Sequence, residues 1–292
     1  MQFESLKAFC DLAESESFTK AAQINKVTQS AVSQTISALE RHFKSLLIER
    51  SKKNFRLTPE GEVLYDYSKK ILSGYDAIQS KMQELKNEIS GELRVSAVYS
   101  IALHDLPPYV KRFLKEYPSV NLNIQFRRED GVYEDVIGNV VDLGLVVYPA
   151  ADPKIEIVHL RKDPLVLACH PQHPLAKQKS IKIKALEGLK FVSFDSDLPT
   201  RKTIDRFLKE YGVSVKHVMQ FDNIETIKRA VEIDSGVAIV PEETIRQELS
   251  DHTLAAVRLE GNPMRQLGAI YKKGKVLSPA MRLFIELLKK TL

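Results

Sequence analysis

The 292-residue sequence has no tryptophan, only two cysteines and no run of 18 or more apolar residues. Cys10 and Cys169 lie far apart in apolar surroundings, which suits reduced, buried thiols and excludes a disulfide framework. Nothing offers a membrane-spanning helix, which needs about 20 apolar residues. The opening stretch MQFESLKAFCDLAESESFTK carries Glu4, Asp11, Glu14 and Glu16 and lacks the basic, apolar, small-residue order of an export signal, so a cytoplasmic location is expected. There is no glycine-rich phosphate loop of either common type and no nucleophile elbow, so nucleotide chemistry and hydrolysis have no motif. Cys169-His170 with His173 is the nearest approach to a metal or thiol site. It lacks further Cys or His partners at ligand spacing and reads as a turn after a strand. No catalytic residue, metal or cofactor is expected.

What is present is the composition of a soluble globular protein, 43% hydrophobic and 28% charged. The length exceeds one core of ~100–200 residues, so two or three units are expected. The net charge of +5 says little by itself. Its distribution says more: six basic residues (Arg41, Lys44, Arg50, Lys52, Lys53, Arg56) face one acid, Glu49, between residues 41 and 56. Residues 4 to 16 hold four acids and only Lys7. Such a positive patch can neutralise phosphates, although a solvated loop would look the same on charge alone.

Leu6, Phe9, Leu12 and Ala13 recur at helical spacing, so an amphipathic helix is expected from about residue 4 to 14. Ser17 can cap a second helix with the apolar face Phe18, Ala21, Ala22 and Ile24. After Asn25-Lys26-Val27, Thr28 caps a third helix running to about Phe43. Val32, Ile36, Leu39 and Phe43 form its inward stripe, leaving Ser30, Ser33, Gln34, Ser37 and Arg41 outside. Short hydroxyls, an amide and a cation reach phosphates and base edges without filling a groove with bulk, and Gln29 stands at the end that meets bases in a helix-turn-helix. With Arg50 to Arg56 as a wing, the segment reads as a winged helix-turn-helix. Its candidate DNA contacts are Thr28, Gln29, Ser30, Ser33, Gln34, Ser37, Arg50, Lys52, Lys53 and Arg56. A polar outward face is also what ordinary surface helices present.

Phe9, Ser17-Phe18-Thr19-Lys20-Ala21-Ala22, Gln29, Ala31-Val32-Ser33, Ile36, Leu39-Glu40, Leu47-Ile48-Glu49-Arg50 and Leu57-Thr58-Pro59-Glu60-Gly61 together resemble the DNA-binding domain of LysR-type transcriptional regulators. Ser30, Lys44 and Ile48 depart from that pattern, standing where proline, glycine and phenylalanine are usual. From Glu60 to about Ser90 no proline interrupts a helix whose apolar seam is Leu64, Tyr67, Ile71, Ile78, Met82, Leu85 and Ile89. Such a rod, roughly 45 Å long at 1.5 Å per residue, needs a partner, most simply the same helix of a second chain. The resemblance implies the same: a linker-helix dimer, commonly assembled into a homotetramer, that meets double-stranded DNA and RNA polymerase at a promoter.

Beyond Gly91, short apolar runs alternate with amphipathic stretches. Strands are expected at residues 93–98, 120–126, 143–147, 155–160, 165–169, 191–194, 217–221, 237–240, 254–259 and 267–271, with helices at 106–116, 203–211 and 224–233. This is an α/β pattern with largely parallel sheets, and a split near residues 160–164 with a return near 264–267 gives two lobes. In such sheets ligands lie beyond the carboxyl ends of strands, where Ser100, Thr200 and Asn223 are placed; ordinary helix capping would also explain all three. Gly91-Glu92-Leu93-Arg94-Val95, Leu106-Pro107-Pro108, Val141-Asp142-Leu143-Gly144, His173-Pro174-Leu175-Ala176 and Ser235 to Pro241 resemble the effector-binding domain of the same family, a fold similar to type 2 periplasmic binding proteins. The segments at Asp163 to His173 and Pro199 to Phe207 look closer to the regulators of sulfur and carbon metabolism than to those of aromatic degradation.

The resemblance implies a small molecule between the lobes, touched by Tyr99, Ser100, Ile101, Pro149, Thr200, Arg201, Asn223, Ile224, Glu225 and Thr226. Arg201 beside Thr200 favours an anionic or carboxylate effector. The expected architecture is an α+β multidomain chain: a DNA-binding domain at 1–60, a linker helix at 61–90 and an effector-binding domain at 91–292. Within the last, lobe 1 takes about 91–161 and 267–292, and lobe 2 about 162–266. The rival readings are an enzyme without a recognisable motif, an architectural DNA-binding protein without a ligand, and a periplasmic solute receptor.

Overall fold

A computed structural model describes residues 2–50, 55–86 and 89–290. Helices α1 (Phe3–Ser15), α2 (Phe18–Ile24) and α3 (Gln29–Phe43) enclose a core of Leu6, Phe9, Leu12, Ala21, Ala22, Val32, Ile36 and Leu39. Both caps form as the sequence suggests: Ser17 Oγ accepts from the Lys20 N–H at 3.3 Å and Thr28 Oγ1 from the Ala31 N–H at 3.2 Å. At the end of α3, Lys44 takes a left-handed φ of 52°, the conformation for which glycine is the unstrained choice. Strands β1 (Ile48–Arg50) and β2 (Phe55–Leu57) then pair antiparallel, Ile48 opposite Leu57. Phe43, expected inside, is 41% exposed, because the last turn of α3 projects beyond the three-helix core toward the next helix.

That helix, α4 (Pro59–Lys86), carries an apolar seam in which Val63, Tyr67, Ile71, Tyr75, Ile78 and Met82 remain exposed. Leu64 and Ile89, expected on the seam, instead pack within the chain, on the head core and the first sensor core respectively. Glu14 of α1 is the anchor between head, rod and sensor. Its side chain is 4% exposed and takes the Tyr65 hydroxyl at 2.8 Å, Lys69 at 2.9 Å and Lys272 of the sensor at 2.5 Å.

The sensor begins with β3 (Gly91–Val98), α5 (Pro107–Glu116), β4 (Val120–Arg127), α6 (Glu129–Ile137) and β5 (Leu143–Val147), and β3 pairs parallel with both β4 and β5. The long β6 (Ile155–Cys169) leads into the second lobe: β7 (Ser180–Ile181), β8 (Lys190–Phe194), α7 (Pro199–Glu210), β9 (Lys216–Phe221), α8 (Ile224–Glu232), β10 (Ala238–Pro241), α9 (Arg246–Ser250) and β11 (Ala255–Leu259). Strand β12 (Met264–Lys272) and helix α10 (Pro279–Lys289) return to the first lobe, where Phe284 meets Phe113 with ring centroids 4.9 Å apart. Each lobe has its own apolar core.

Three expectations need correction. The sheets are mixed rather than largely parallel: β12 runs antiparallel to β5 and β6, and β10 and β11 run antiparallel to β6. The runs at 155–160 and 165–169 are one strand, with Pro164 inside it where the chain passes from one core to the other. Helix α7 starts at Pro199 rather than residue 203, since proline at the first helical position lacks only an N–H that would be unpaired there anyway. Helices α6 and α10 add to those expected.

Candidate DNA-reading face and interlobe site

Burial of Val32, Ile36 and Leu39 fixes which side of α3 faces out. Gln29, Ser30 and Gln34 are exposed and Ser33 and Ser37 half-buried. Thr28 is partly committed, its hydroxyl lying 2.9 Å from Ser30 Oγ as well as capping the helix. Arg56 is exposed on β2. Arg50 joins β1 through its backbone, opposite Phe55, while Lys52 and Lys53 lie outside the described residues. The face thus presents two amides and several hydroxyls, with no bulky apolar side chain among Gln29, Ser30, Ser33, Gln34 and Ser37, the chemistry that base edges and phosphates accept.

Between the lobes, Ser100 follows β3 and Thr200 and Arg201 open α7, both of the latter 8% exposed. Asn223 caps α8: its Oδ1 accepts from the Thr226 N–H at 3.0 Å and the Thr226 hydroxyl at 3.1 Å, so these two are bound to each other. Glu225 faces His104 of the first lobe at 2.6 Å and Lys228 at 3.0 Å. Tyr99 is exposed beside Phe126, whereas Ile101 and Ile224 bury their side chains in the two cores and can offer only backbone. Pro149 packs where a Cβ on Gly268 would stand 2.6 Å from its Cγ.

Arg201 does not provide the free cation expected of it. Its Nε reaches both oxygens of Asp205 at 2.9 Å and its Nη1 the Phe194 carbonyl at 2.9 Å. An acid one turn downstream, at i+4, is the sequence signal for that pairing.

Several residues join the site that the sequence reading does not name. Arg265, 1% exposed, donates to Asp163 and Asp105 and, through Nη1, to Ser100 Oγ at 3.0 Å. Arg161 also donates to Asp105 and Asp163, closing a charge-balanced cluster where β6 and β12 pair antiparallel, Asp163 opposite Arg265. At the mouth, Arg128 of the first lobe meets Asp197 at 2.7 Å and Asp222 at 3.7 Å in the second. Glu129, next to it, is pushed up to about 8 by burial, opposed by Lys202 of α7. Tyr148, at the carboxyl end of β5, has a left-handed φ of 47°, and among the described residues its buried hydroxyl has no hydrogen-bond partner.

No group of three or more His, Cys, Asp or Glu able to hold a metal occurs among the described residues, and no helix among them is long and apolar enough to cross a membrane. Residues 3–62 match the family described as bacterial regulatory helix-turn-helix protein, lysR family, and residues 86–292 match LysR substrate binding domain. The RuBisCO operon transcriptional regulator of Allochromatium vinosum is 30% identical over 98% of this chain and 95% of its own. The HTH-type transcriptional regulator CysL of Bacillus subtilis is 28% identical over 99% and 97%. Among solved structures, a full-length OxyR variant from Pseudomonas aeruginosa shares the fold with a TM-score of 0.75 at 20% identity, covering 100% of this chain and 99% of that one. The Synechocystis PCC6803 CcmR regulatory domain in complex with 2-PG does so with a TM-score of 0.63 at 22% identity, over 68% of this chain and 96% of that one. The head with its capped, polar-faced third helix and wing, joined by one long helix to a two-lobed α/β domain, therefore belongs to the LysR family of DNA-binding transcriptional regulators.

Proposed function

We propose that this chain reads a specific promoter sequence through α3 and that a small acid held between its lobes modulates the outcome. The observation that carries the first half is the outward face of α3, where Gln29, Ser33, Gln34 and Ser37 stand opposite the buried stripe. Residues 1–60 act as the reading head, 61–90 as the dimerising rod and 91–292 as the sensor. The exposed seam of α4 supports pairing of two chains, and two such dimers give a homotetramer that sets the spacing of its heads along DNA.

For the second half, Ser100, Thr200 and Asn223 stand at the carboxyl ends of strands on both sides of the cleft, where ligands of α/β folds lie. The CcmR regulatory domain, of the same fold, holds 2-PG. Arg201, being internally paired, acts on the ligand through its backbone N–H rather than its charge.

Binding to the DNA flanking its own gene, followed by anisotropy against a scrambled duplex, tests the reading. Gln29→Ala or Ser33→Ala should weaken specific binding about 5- to 150-fold, equivalent to ~1–3 kcal/mol per base contact, and leave non-specific binding intact. Equal losses on both duplexes would remove these residues from base readout. Thr200→Leu should abolish the ligand response with DNA binding retained; a normal response would move the pocket elsewhere.

A further inference from the structure

Resting on the interlobe reading above, we infer that Tyr148 selects the effector, its hydroxyl and that of Ser100 donating to the oxygens of one carboxylate or phosphoryl group. Tyr148 follows β5, and its N–H is held by the Gln266 carbonyl at 2.7 Å. A φ of 47° is unusual for a bulky side chain, and backbones kept in such regions cluster at ligand clamps. The ring packs against the edge of the first core, and its hydroxyl comes near Thr203, early in α7 of the second lobe, and near Arg265 and Asp163. Thr203 lies beside the hydroxyl without meeting hydrogen-bond geometry, so among the described residues the buried Oη is unpaired. Buried hydroxyls are rarely left so unless a ligand or water completes them.

Ser100 makes the chemistry directional. A guanidinium has only donors, so the bond from Arg265 Nη1 uses an acceptor site of Ser100 Oγ and leaves its proton to be given away. Burial keeps the Tyr148 phenol neutral, pushed up to about 12, so it too has a proton to give. Across the cleft, Leu198 is the N-cap of α7 and has no side-chain acceptor, and the N–H groups of Thr200 and Arg201 precede the first intrahelical bond, from the Lys202 N–H to the Leu198 carbonyl. Donors thus line both walls, and a ligand atom bearing its own N–H would face them. Charge points the same way but weakly. Arg201 is paired with Asp205, Arg161 and Arg265 with Asp105 and Asp163, and Lys202 is the cation beside Glu129. A compact acid fits this better than a polyanion.

The test is calorimetric titration of the full chain with glycolate, 2-phosphoglycolate, inorganic phosphate and ethanolamine, alongside thermal unfolding of the free proteins. Wild type should bind at least one acid and not ethanolamine; glycolate against phosphate tells which oxyanion is recognised. Tyr148→Phe should weaken that acid at least tenfold, one hydrogen bond's worth, while its unfolding midpoint stays level or rises because an unpaired hydroxyl is gone. Ser100→Ala should weaken it as well. A merely structural Tyr148 would give the reverse, a lower midpoint with unchanged affinity. Wild-type affinity in Tyr148→Phe, or binding of no acid, overturns the inference. If Thr200→Leu abolishes binding while Tyr148→Phe does not, the interlobe site stands and only this assignment fails; if neither matters, the site itself is elsewhere.

Discussion

The contact that ties head to sensor predicts a measurable coupling between Glu14 and Lys272. Glu14 is almost fully buried, Lys272 keeps 16% of its side chain exposed, and Lys69, the second cation, keeps 40%. The Lys69 pair is therefore screened and contributes about 0–1 kcal/mol. Breaking a well-buried pair by removing one partner costs about 3–5 kcal/mol. The Lys272 pair belongs below that range, because burial outweighs the attraction of Glu14 and leaves the Lys272 ammonium with a lowered pKa. Glu14→Gln should then cost about 2–3 kcal/mol, and Glu14→Gln with Lys272→Met should cost less than the two singles together, by ~1–3 kcal/mol of coupling. With no tryptophan to report, urea unfolding followed by circular dichroism on the four proteins of the cycle is the assay. Costs that add to within about 0.5 kcal/mol would show that the two side chains do not meet in solution.

The same carboxylate sets a pH dependence. Burial raises the Glu14 pKa, but Lys272 and Lys69 together overcome it, so its folded value lies below the ordinary 4.5. A depressed acid stabilises the fold above its unfolded pKa and loses that contribution as pH falls through the folded one. The gap between wild type and Glu14→Gln should therefore be constant from neutral pH down to about 5 and close below it. A gap that widens on acidification would reverse the assigned direction.

Three further outcomes are expected. Gly61→Ala would place a Cβ 2.1 Å from the Leu47 carbonyl oxygen, so the junction of wing and rod must shift; a loss of about 1–3 kcal/mol should appear in unfolding, and an unaffected midpoint would refute the close approach. Lys52→Ala with Lys53→Ala should lower affinity for any DNA and reduce the log–log salt slope by about 2, and an unchanged slope would dismiss the wing as a phosphate contact. Burial pushes the Cys10 thiol up to about 12 and the Cys169 thiol up to about 11, so both should resist thiol reagents until the chain unfolds, and rapid labelling of the folded protein would contradict their burial.

What the sequence makes legible is what short-range chemistry decides. Ser17 and Thr28 cap their helices through an N–H three residues on, and the stripe Val32, Ile36, Leu39 sets the outward face without reference to the rest of the chain. Continuity of β6 is hidden because Pro164 reads as a breaker, yet it stands at the crossing between two sheets. Arg201 reads as a free cation only if Asp205 is overlooked. Tyr148 is harder: its left-handed backbone and unpaired hydroxyl follow from how β12 and α7 are placed around it. Glu14 is one of three acids on α1, with Glu4 and Asp11, and nothing local marks it out, because its two lysines come from α4 and β12.

The modest net charge of +5 averages two populations that salt should separate. Ions at the junctions are paired within the chain: Glu14 with Lys69 and Lys272, Arg128 with Asp197 and Asp222, and the Arg161 and Arg265 guanidinia with Asp105 and Asp163. Of these, the Arg265 cluster and Glu14 are buried and only weakly screened, whereas Arg128 and its partners are open to solvent. The basic residues from Arg41 to Arg56 are set against a single acid, and under the proposed reading their contribution on DNA would come from displaced counterions and disappear steeply as salt rises. Raising salt from low to physiological strength should therefore release DNA first and loosen the Arg128 latch next, while the Glu14 contact persists. If the Glu14 coupling energy fell in parallel with DNA affinity, the head would be held to the sensor by the same screened surface charge that holds it to phosphate, and the burial of Glu14 would count for nothing.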